Sequence, residues 1–359
     1  MPCVLFTTTT PVQTHMIVAA ACIGEEDGAS YLWLLEKLKE IMAKHSISVD
    51  EVHTVLTDNQ RALKGALSTA LPGARQQLCW WHIYKNVQDH VQKHWPKAKD
   101  MPELSKKSLL DAAYSSTETH DTPAEIRLKL DFIPPKDNTA VKFMHHFADM
   151  GNQRTRESFF AYWQRFKEVY LGFDTILDFM EKWIVPTAPE WARAWTRSNL
   201  NYGLRCTSIS ESANHQLKTT LRGINTLFGL YKACNGLFDR KFADYQVIIA
   251  RHANTTRIKY ADCPILSLLT YNVSLECLEK LYNEYLKLVP HMLHGEPLEP
   301  CTHTFHATLG LPCAHMFKRR LFVEHNDGRK DRLASNAPLQ MKDVNVFWHL
   351  RRNMVIIYL

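Results

Sequence analysis

The chain has 359 residues, carries a formal net charge of +6, and is 45% hydrophobic. Its length corresponds to two or three domains, and the apolar fraction excludes a disordered chain. The mild positive charge is compatible with nucleic acid, but the dense Lys/Arg tracts that would require such a partner are absent.

The nine cysteines and the apolar runs bear on the compartment. An odd number of scattered cysteines indicates reduced thiols in the cytosol or nucleus. The longest apolar run near the start, residues 16–24, is too short to cross a bilayer and follows no positively charged segment. We therefore expect an intracellular protein without a membrane partner.

The first elements of the chain alternate between strand and helix signals. Residues 1–14 are rich in threonine and are predicted to be irregular, whereas residues 16–23 predict a buried strand. Residues 31–45 predict an amphipathic helix, because leucines recur on one stripe with charged residues opposite.

A second strand and a crossover helix are predicted next. The apolar, β-branched run 52–57 predicts a strand buried on both faces, and it ends on Asp58. A helix over 59–70 and a short apolar element over 76–82 follow. An acidic side chain at the carboxyl end of a strand, before a crossover helix, is where open α/β sheets place their chemistry.

The stretch from 87 to 197 is predicted to be mostly helical. The clearest segments are 157–170 and 173–183, and weaker ones cover 104–114, 122–130 and 139–149. Four tryptophans lie here: Trp163, Trp183, Trp191 and Trp195. They could stack unpaired bases, but at helical spacing aromatic residues more often form core, which is the interpretation we favour.

The segment from Val52 to Val87 resembles the Mutator-like element (MULE) transposase family. Its TD…AL…A…FP…LC.WH..KNV pattern is met in order and spacing by Thr57-Asp58, Ala62-Leu63, Ala66, Leu71-Pro72, Leu78-Cys79, Trp81-His82 and Lys85-Asn86-Val87. The resemblance implies an RNase H-like core in which Asp58 is the second carboxylate of a DDE triad. It also makes Cys79 and His82 the family's Cys-x-x-His signature.

Plainer alternatives exist for these residues. Asp58 could be an ordinary helix N-cap. Cys79 and His82 could be a buried thiol and a core imidazole, since two ligands alone do not make a zinc site, and we expect them to be structural.

Residues 207–218, TSISESANHQLK, resemble a second family motif, T-(S/N)-x-x-E-(S/G)-x-(N/H)-x-x-L-K. The resemblance implies that Glu211 is the third acid of the triad. Alternatively, Glu211 is a first-turn carboxylate favoured by the helix dipole. Lys218 and Arg222 could meet phosphates or belong to a solvated face.

The first acid of the triad is not found. In the family it lies on a strand upstream of one such as residues 16–23, and residues 1–24 contain no Asp or Glu. A two-metal site needs its carboxylates to hold ions about 4 Å apart, so the loss of one should cost several orders of magnitude in rate. We expect either an inactive relic or a fragment of an active enzyme, and Mg²⁺ is expected only for an active form.

Two Cys-x-His pairs form the other informative constellation: Cys301 with His303, and Cys313 with His315. Ligands two residues apart in an extended segment point to the same side, so each pair can hold one ion from one edge. Four such donors suit a closed, structural Zn²⁺ site. A chance occurrence of two unrelated pairs is the alternative.

This pattern, within its Gly-Leu-Pro-Cys-x-His context, resembles the SWIM zinc finger, C-x-C-x(n)-C-x-H, found downstream of MULE domains. His303 replaces the second Cys, and His306 could compete for that position. The basic residues that follow, Lys318, Arg319 and Arg320, could form a phosphate-facing edge or a solvated face.

The predicted fold class is α/β: an N-terminally truncated RNase H-like core with a large helical insertion and a small C-terminal zinc finger. Helices are also predicted over 226–249 and 274–288. The predicted divisions are 1–92 for the core, 93–200 for the insertion, 201–295 for the rest of the core with the third-acid motif, 296–325 for the finger, and 326–359 for the tail.

The expected function is that of a transposon-derived, zinc-binding and DNA-binding protein, related to the FAR-RED-impaired-like family and catalytically inactive. One alternative is a fragment of an active DDE transposase that cleaves and transfers DNA strands. Another is a zinc-dependent protein-interaction module. The family implies nuclear localisation and DNA as partner, either non-specifically or at transposon ends, and a homo-oligomer is compatible with it.

Overall fold

The computed structural model describes residues 3–95, 140–220, 226–324, 330–332 and 338–350. The helices expected over 104–114 and 122–130 lie outside these residues. The chain divides into two compact units. The first unit comprises Met1–Glu26, Trp33–Ile47 and Ser208–Leu359, and the second comprises Asp27–Leu32 and Ser48–Thr207. Of the helices described, none combines the length and the apolar character that a membrane span requires.

The second unit contains the predicted strand and crossover helix, and the short apolar element predicted over 76–82 is a strand as far as Leu78 and helical from Trp80. Strand β3 (Thr54–Thr57) pairs in parallel with β4 (Arg75–Leu78). Helix α2 (Arg61–Ala70) connects them and buries Ala66, Leu67 and Ala70. All four residues of β3 are only partly buried, so the prediction of a strand buried on both faces was wrong. The physical reason is that, among the described residues, β4 is the only strand that pairs with β3.

Helices make up the rest of the second unit. They are α3 (Trp80–His94), α4 (Ala140–Gly151), α5 (Arg156–Val169), α6 (Asp174–Phe179), α7 (Ala188–Trp191) and α8 (Arg193–Thr196). A short π-helix (Met180–Ile184) and a short 3-10 helix (Val185–Thr187) join α6 to α7. The helical segments predicted over 139–149, 157–170 and 173–183 are therefore confirmed.

Aromatic rings build the core of this unit. Trp80 stacks on Phe147 and Trp191, with ring centroids 5.4 and 5.2 Å apart. Trp163 and Trp191 are 3% and 1% exposed, which confirms that they are core residues. Trp183 is 55% exposed, so its assignment to the core was wrong.

The first unit begins with an antiparallel strand pair. Strand β1 (Cys3–Thr9) pairs with β2 (His15–Cys22), so the predicted strand over 16–23 is confirmed. The prediction that residues 1–14 are irregular was wrong for β1, because its run of β-branched threonines suits a strand that has a partner. The buried residues Ile17, Leu217 and Leu237 belong to one hydrophobic cluster of this unit.

The helices that include residues of the first unit are α1 (Gly28–Lys44), α9 (Ser208–Thr220), α10 (Leu227–Asn254), α11 (Ile258–Ala261), α12 (Leu275–Leu286), α13 (Val289–His294), α14 (Thr304–Leu309) and α15 (Ala314–Leu321). The helices predicted over 31–45, 226–249 and 274–288 are confirmed, whereas α11, α13, α14 and α15 were not predicted. A short antiparallel pair, β5 (Phe322–Glu324) and β6 (Lys330–Arg332), follows α15.

The described strands form three separate two-stranded sheets, and most of the described residues are helical. The chain is thus a mixed α/β protein, as predicted. The single sheet of an RNase H-like core is not formed by the described strands, because β1–β2 and β3–β4 are paired only within themselves. The RNase H-like core therefore stays a prediction.

Candidate metal site

Three side chains that commonly bind metal converge near the C-terminus. The ligand atoms of Cys301, Cys313 and His315 all lie within 4.8 Å of one another. The two sulfur atoms are 3.9 Å apart, far beyond the length of a disulfide bond, which is about 2.05 Å. Two thiolates bound tetrahedrally to one zinc ion, each at about 2.3 Å, would lie about 3.8 Å apart. The pair is therefore spaced as a zinc ion requires.

Two left-handed backbone positions shape the loop between the cysteines. His303 has φ of 58° just before α14, and Gly310 has φ of 64° just after it. The buried Leu311 leads into Cys313, which immediately precedes α15. The expected extended Cys-x-His segments are therefore absent. Instead, α14 begins directly after His303, and α15 begins directly after Cys313.

The other two histidines differ in their surroundings. His303 Nδ1 is 3.8 Å from Cys301 Sγ, but His303 is not part of the three-residue group. His306 Nδ1 lies 3.1 Å from the carbonyl oxygen of Leu311, so this nitrogen is occupied by the backbone. His303 is better placed than His306 as a fourth ligand, and its role stays a prediction.

Backbone and burial set the chemistry of the ligands. His315 Nε2 is 2.7 Å from the carbonyl oxygen of Glu299. When Nε2–H donates this bond, Nδ1 carries the lone pair that a metal needs, as is usual for metal-binding histidines. Burial raises the pKa of the Cys313 thiol, and a nearby Cys301 thiolate adds to this effect. Metal binding must therefore displace a proton from Cys313.

Three hydrogen bonds fix this loop to its neighbours in the first unit. The N–H of Ala314 donates to Glu284 Oε2 on α12 at 2.9 Å. The N–H of Asn345 donates to the carbonyl of Gly310 at 3.0 Å, and Trp348 Nε1 donates to the carbonyl of Leu309 at 2.7 Å. Residues 345–348, predicted as part of a tail, thus pack directly against the loop that holds the ligands.

The two predicted catalytic carboxylates occupy the expected local positions. Asp58 is exposed and directly follows β3, and Glu211 is partly buried in the first turn of α9. They belong to different units, and neither is part of the metal-binding group found among the described residues. Their catalytic role stays a prediction.

Cys79 and His82 lie together in the second unit. Cys79 is fully buried at the start of α3, and its sulfur accepts the N–H of Thr207 at 3.2 Å. His82 Nδ1 is 3.3 Å from the Thr207 hydroxyl. A hydrogen bond from the buried Cys206 thiol lowers the pKa of Cys79. Sequence reasoning missed Cys206, although its position directly before the third-acid motif was a usable signal.

The basic residues proposed to contact phosphate differ in their exposure and in their ion pairing. Arg320 pairs with Asp343 at 2.7 Å, whereas Arg319 is exposed on α15 and Lys318 is half-buried. Lys218 is exposed in the last turn of α9, and Arg222 lies outside the described residues. No phosphate-facing edge follows from these positions alone.

Comparison with known proteins gives one family match over the first quarter of the chain. Residues 1–86 match the model of the MULE transposase domain, which supports a transposon-derived protein of the MULE type. The chain is also 24% identical over 341 residues to a protein named PKS-NRPS hybrid synthetase cheA from Chaetomium globosum. That alignment covers 93% of this chain but only 7% of the relative, so the chain corresponds to a small part of that protein. No solved structure matches the chain.

Proposed function

We propose that this chain is a transposon-derived protein that binds one structural Zn²⁺ through Cys301, Cys313 and His315, with His303 as the fourth ligand. The observation that carries the proposal is the convergence of the three donor atoms within 4.8 Å, downstream of a segment that matches a MULE transposase domain. The mixed thiolate and imidazole set is the usual choice for zinc.

The structural role follows from the number of protein ligands. A bound zinc ion would supply a cross-link between the start of α14 and the start of α15. Four protein ligands leave no position open for water or substrate, which is the difference between structural and catalytic zinc sites. The carbonyl of Glu299 would hold the His315 ring in place through Nε2.

The zinc proposal is tested by metal content. The full chain, purified with zinc present, is expected to retain one zinc per molecule by elemental analysis, and Cys313→Ser should retain almost none. Cys22→Ser is the matched control, because Cys22 lies on β2 outside the candidate site. Equal zinc content in wild type and Cys313→Ser would overturn the proposal.

A second pair of variants identifies the fourth ligand. His303→Ala should weaken zinc binding in a competition with a chromogenic chelator, because one of four ligands is lost. His306→Ala should bind zinc like wild type, since its Nδ1 is directed to the Leu311 carbonyl. The reverse order of affinities would assign the position to His306.

We also propose that the protein associates with DNA in the nucleus, and that this chain by itself does not cut DNA. The first part rests on the MULE match and the mild positive charge. The second rests on the lack of any carboxylate in residues 1–24 to complete a set with Asp58 and Glu211.

A strand-cleavage assay tests the second part. Supercoiled plasmid incubated with the chain and Mg²⁺ should stay intact, and the Asp58→Asn and Glu211→Gln variants should give the same result as wild type. Nicking that disappears in both variants would instead show a working DDE site. DNA affinity that falls steeply with salt would support phosphate contacts over a protein-interaction module.

A further inference from the structure

A surface cleft of about 630 Å³ lies in the second unit, and none of the predicted catalytic, metal-binding or basic residues lines it. Helix α2, strand β4, the start of α5, and the segment from α7 to residue 199 form its walls. The residues that decide its chemistry are Lys64, Arg75, Gln76, Arg156, Glu190 and Trp195. The volume is within the range of small-molecule sites, which is about 300–1,000 Å³.

The cleft has excess positive charge. Lys64 and Glu190 form an ion pair at 2.6 Å and neutralise each other. Arg75 and Arg156 are exposed, and within the described ranges neither has a carboxylate partner. Two guanidinium groups that lack an acidic partner are suited to bind phosphate, because their planar donors match its oxygens.

The cleft also has a flat surface. Trp195 lines it and is half-buried, and the Arg156 guanidinium lies 5.6 Å from the centre of the indole ring. Phe159 and Phe160 contact Trp195 edge-on, with centroids 5.2 and 5.9 Å away, so the ring is supported from within the unit. Aromatic rings and guanidinium planes are the groups on which proteins stack unpaired bases.

The cleft lies at the opposite end of the strands from the predicted catalytic carboxylate. Arg75 is the first residue of β4 and pairs with Thr54, the first residue of β3. Asp58 follows the last residue of β3, so three residue steps of a parallel pair, roughly 10 Å, separate the two ends. A ligand in this cleft would therefore bind separately from the end of β3 that carries Asp58.

We propose that this cleft binds a nucleotide unit, with Trp195 stacking on the base and Arg75 and Arg156 holding the phosphate. The unit comes either from an unpaired nucleic-acid strand or from a free nucleotide, since both offer a planar base and a phosphate. This inference rests on the proposed association with DNA. It adds to that proposal a nucleotide-binding site separate from the candidate zinc site.

The test uses the full chain and a fluorescein-labelled (dT)15 oligonucleotide in an anisotropy titration. Trp195→Ala should weaken binding by about tenfold, since stacking of a base on an aromatic ring has an effect of that size. The double variant Arg75→Gln/Arg156→Gln should lower the slope of log affinity against log salt by about 0.7, the value for the loss of one phosphate contact on a single strand.

A charge-matched control separates a site from general attraction. The double variant Lys93→Gln/Lys182→Gln also removes two positive charges, from lysines that are exposed and do not line the cleft. It should bind like wild type. Equal losses in this lysine variant and in the arginine variant, or wild-type affinity in both cleft variants, would overturn the proposal. The exposed arginines can be replaced without disturbing the core, so the test does not depend on whether Trp195→Ala folds.

Competition identifies the source of the nucleotide. Displacement of the oligonucleotide by thymidine monophosphate at similar nucleotide concentration would assign the cleft to free nucleotides, and failure to displace would assign it to strands. Zinc content is measured on the same samples. If the cleft variants lose binding but retain one zinc, the result supports the cleft proposal independently of the zinc site. If the wild type contains no zinc but still binds (dT)15 through Trp195, only the zinc proposal is contradicted.

Discussion

Trp348 donates its indole N–H to the backbone carbonyl of Leu309 at 2.7 Å, and both residues are buried. Leu309 is the last residue of α14, where helix carbonyls lack partners within the helix. The indole therefore satisfies a helix end that would otherwise be buried without a hydrogen bond. This contact connects residues 345–348 to the loop between the two candidate zinc cysteines.

Replacing Trp348 with phenylalanine should remove this hydrogen bond while keeping an aromatic ring. We expect the free energy of unfolding to fall by about 2 kcal/mol or more, because a buried carbonyl loses its donor and a small cavity is left. Urea unfolding followed by circular dichroism measures this. Trp33→Phe is the matched control, since Trp33 is 55% exposed, and it should change stability by less than about 0.5 kcal/mol. Equal effects of the two variants would show that the Leu309 contact is not stabilising.

Alanine substitutions at Gly310 and Gly295 distinguish the cost of backbone strain from the cost of a steric clash of the added Cβ. Both have positive φ, 64° and 70°, but only at Gly310 would a Cβ meet another residue, the Cβ of Asn345 at 2.5 Å. Gly295→Ala should cost about 1 kcal/mol from backbone strain alone. Gly310→Ala should cost clearly more, about 2–4 kcal/mol, because residues around Asn345 must shift as well.

Thermal unfolding of both variants, with zinc content measured in parallel, checks this prediction. Gly310→Ala should also retain less zinc, since the residue lies between the two cysteines of the site. Gly295→Ala should retain zinc as wild type does. If the two variants unfold at the same temperature, the contact with Asn345 contributes nothing.

The local elements could be predicted from the sequence, because each depends on nearby residues. The stripe of Ala66, Leu67 and Ala70 indicates the buried face of α2 without any knowledge of its neighbours. The position of Asp58 directly after β3 also follows from the local pattern. The same is true of Cys301, Cys313 and His315, whose short spacing limits where their donor atoms can go.

The features that were predicted wrongly or missed depend on contacts with other parts of the chain. Strand β1 was missed because threonine-rich residues become a strand only when β2 is there to pair with them. Trp183 was assigned to the core, whereas the structure leaves it exposed with Arg61 beside its ring at 5.8 Å. The role of Cys206 beside Cys79 likewise depends on a contact between residues far apart in the chain.

His146 should make the second unit sensitive to acid. It is buried and lies 2.8 Å from the Tyr170 hydroxyl through Nδ1, and burial lowers its pKa from 6.5 to about 4. The nearby His145 and Lys142 add to this shift. Because the unfolded chain takes up the proton at a higher pH than the folded chain, stability is fully present above pH 6.5. It should fall as the pH drops from 6.5 towards 4, by up to about 3 kcal/mol.

Urea unfolding followed by tryptophan fluorescence at pH 7 and pH 5 measures the effect. His146→Gln should be less stable than wild type at pH 7, but its stability should change less between the two pH values. His45→Gln, which changes an exposed histidine, should keep the wild-type dependence. An unchanged pH dependence in His146→Gln would assign the acid sensitivity to other groups.

Glu284 should couple helix α12 to the candidate zinc site. Its side chain is 6% exposed, and Oε2 accepts the N–H of Ala314, the residue between Cys313 and His315. Glu284→Ala leaves that donor without its acceptor at the first turn of α15, so unfolding should become easier by about 1–3 kcal/mol. Glu284→Gln keeps an oxygen acceptor and should lose less.

Replacing Glu284 should also weaken zinc binding, because α15 positions His315 beside the two sulfur atoms. Zinc affinity measured by chelator competition is therefore expected to fall in Glu284→Ala more than in Glu284→Gln. Glu296→Ala, at an exposed position nearby in sequence, should leave both stability and zinc affinity unchanged. A Glu284→Ala variant that is less stable yet binds zinc as tightly as wild type would show that the three donor atoms are held by the loop itself, independently of α12.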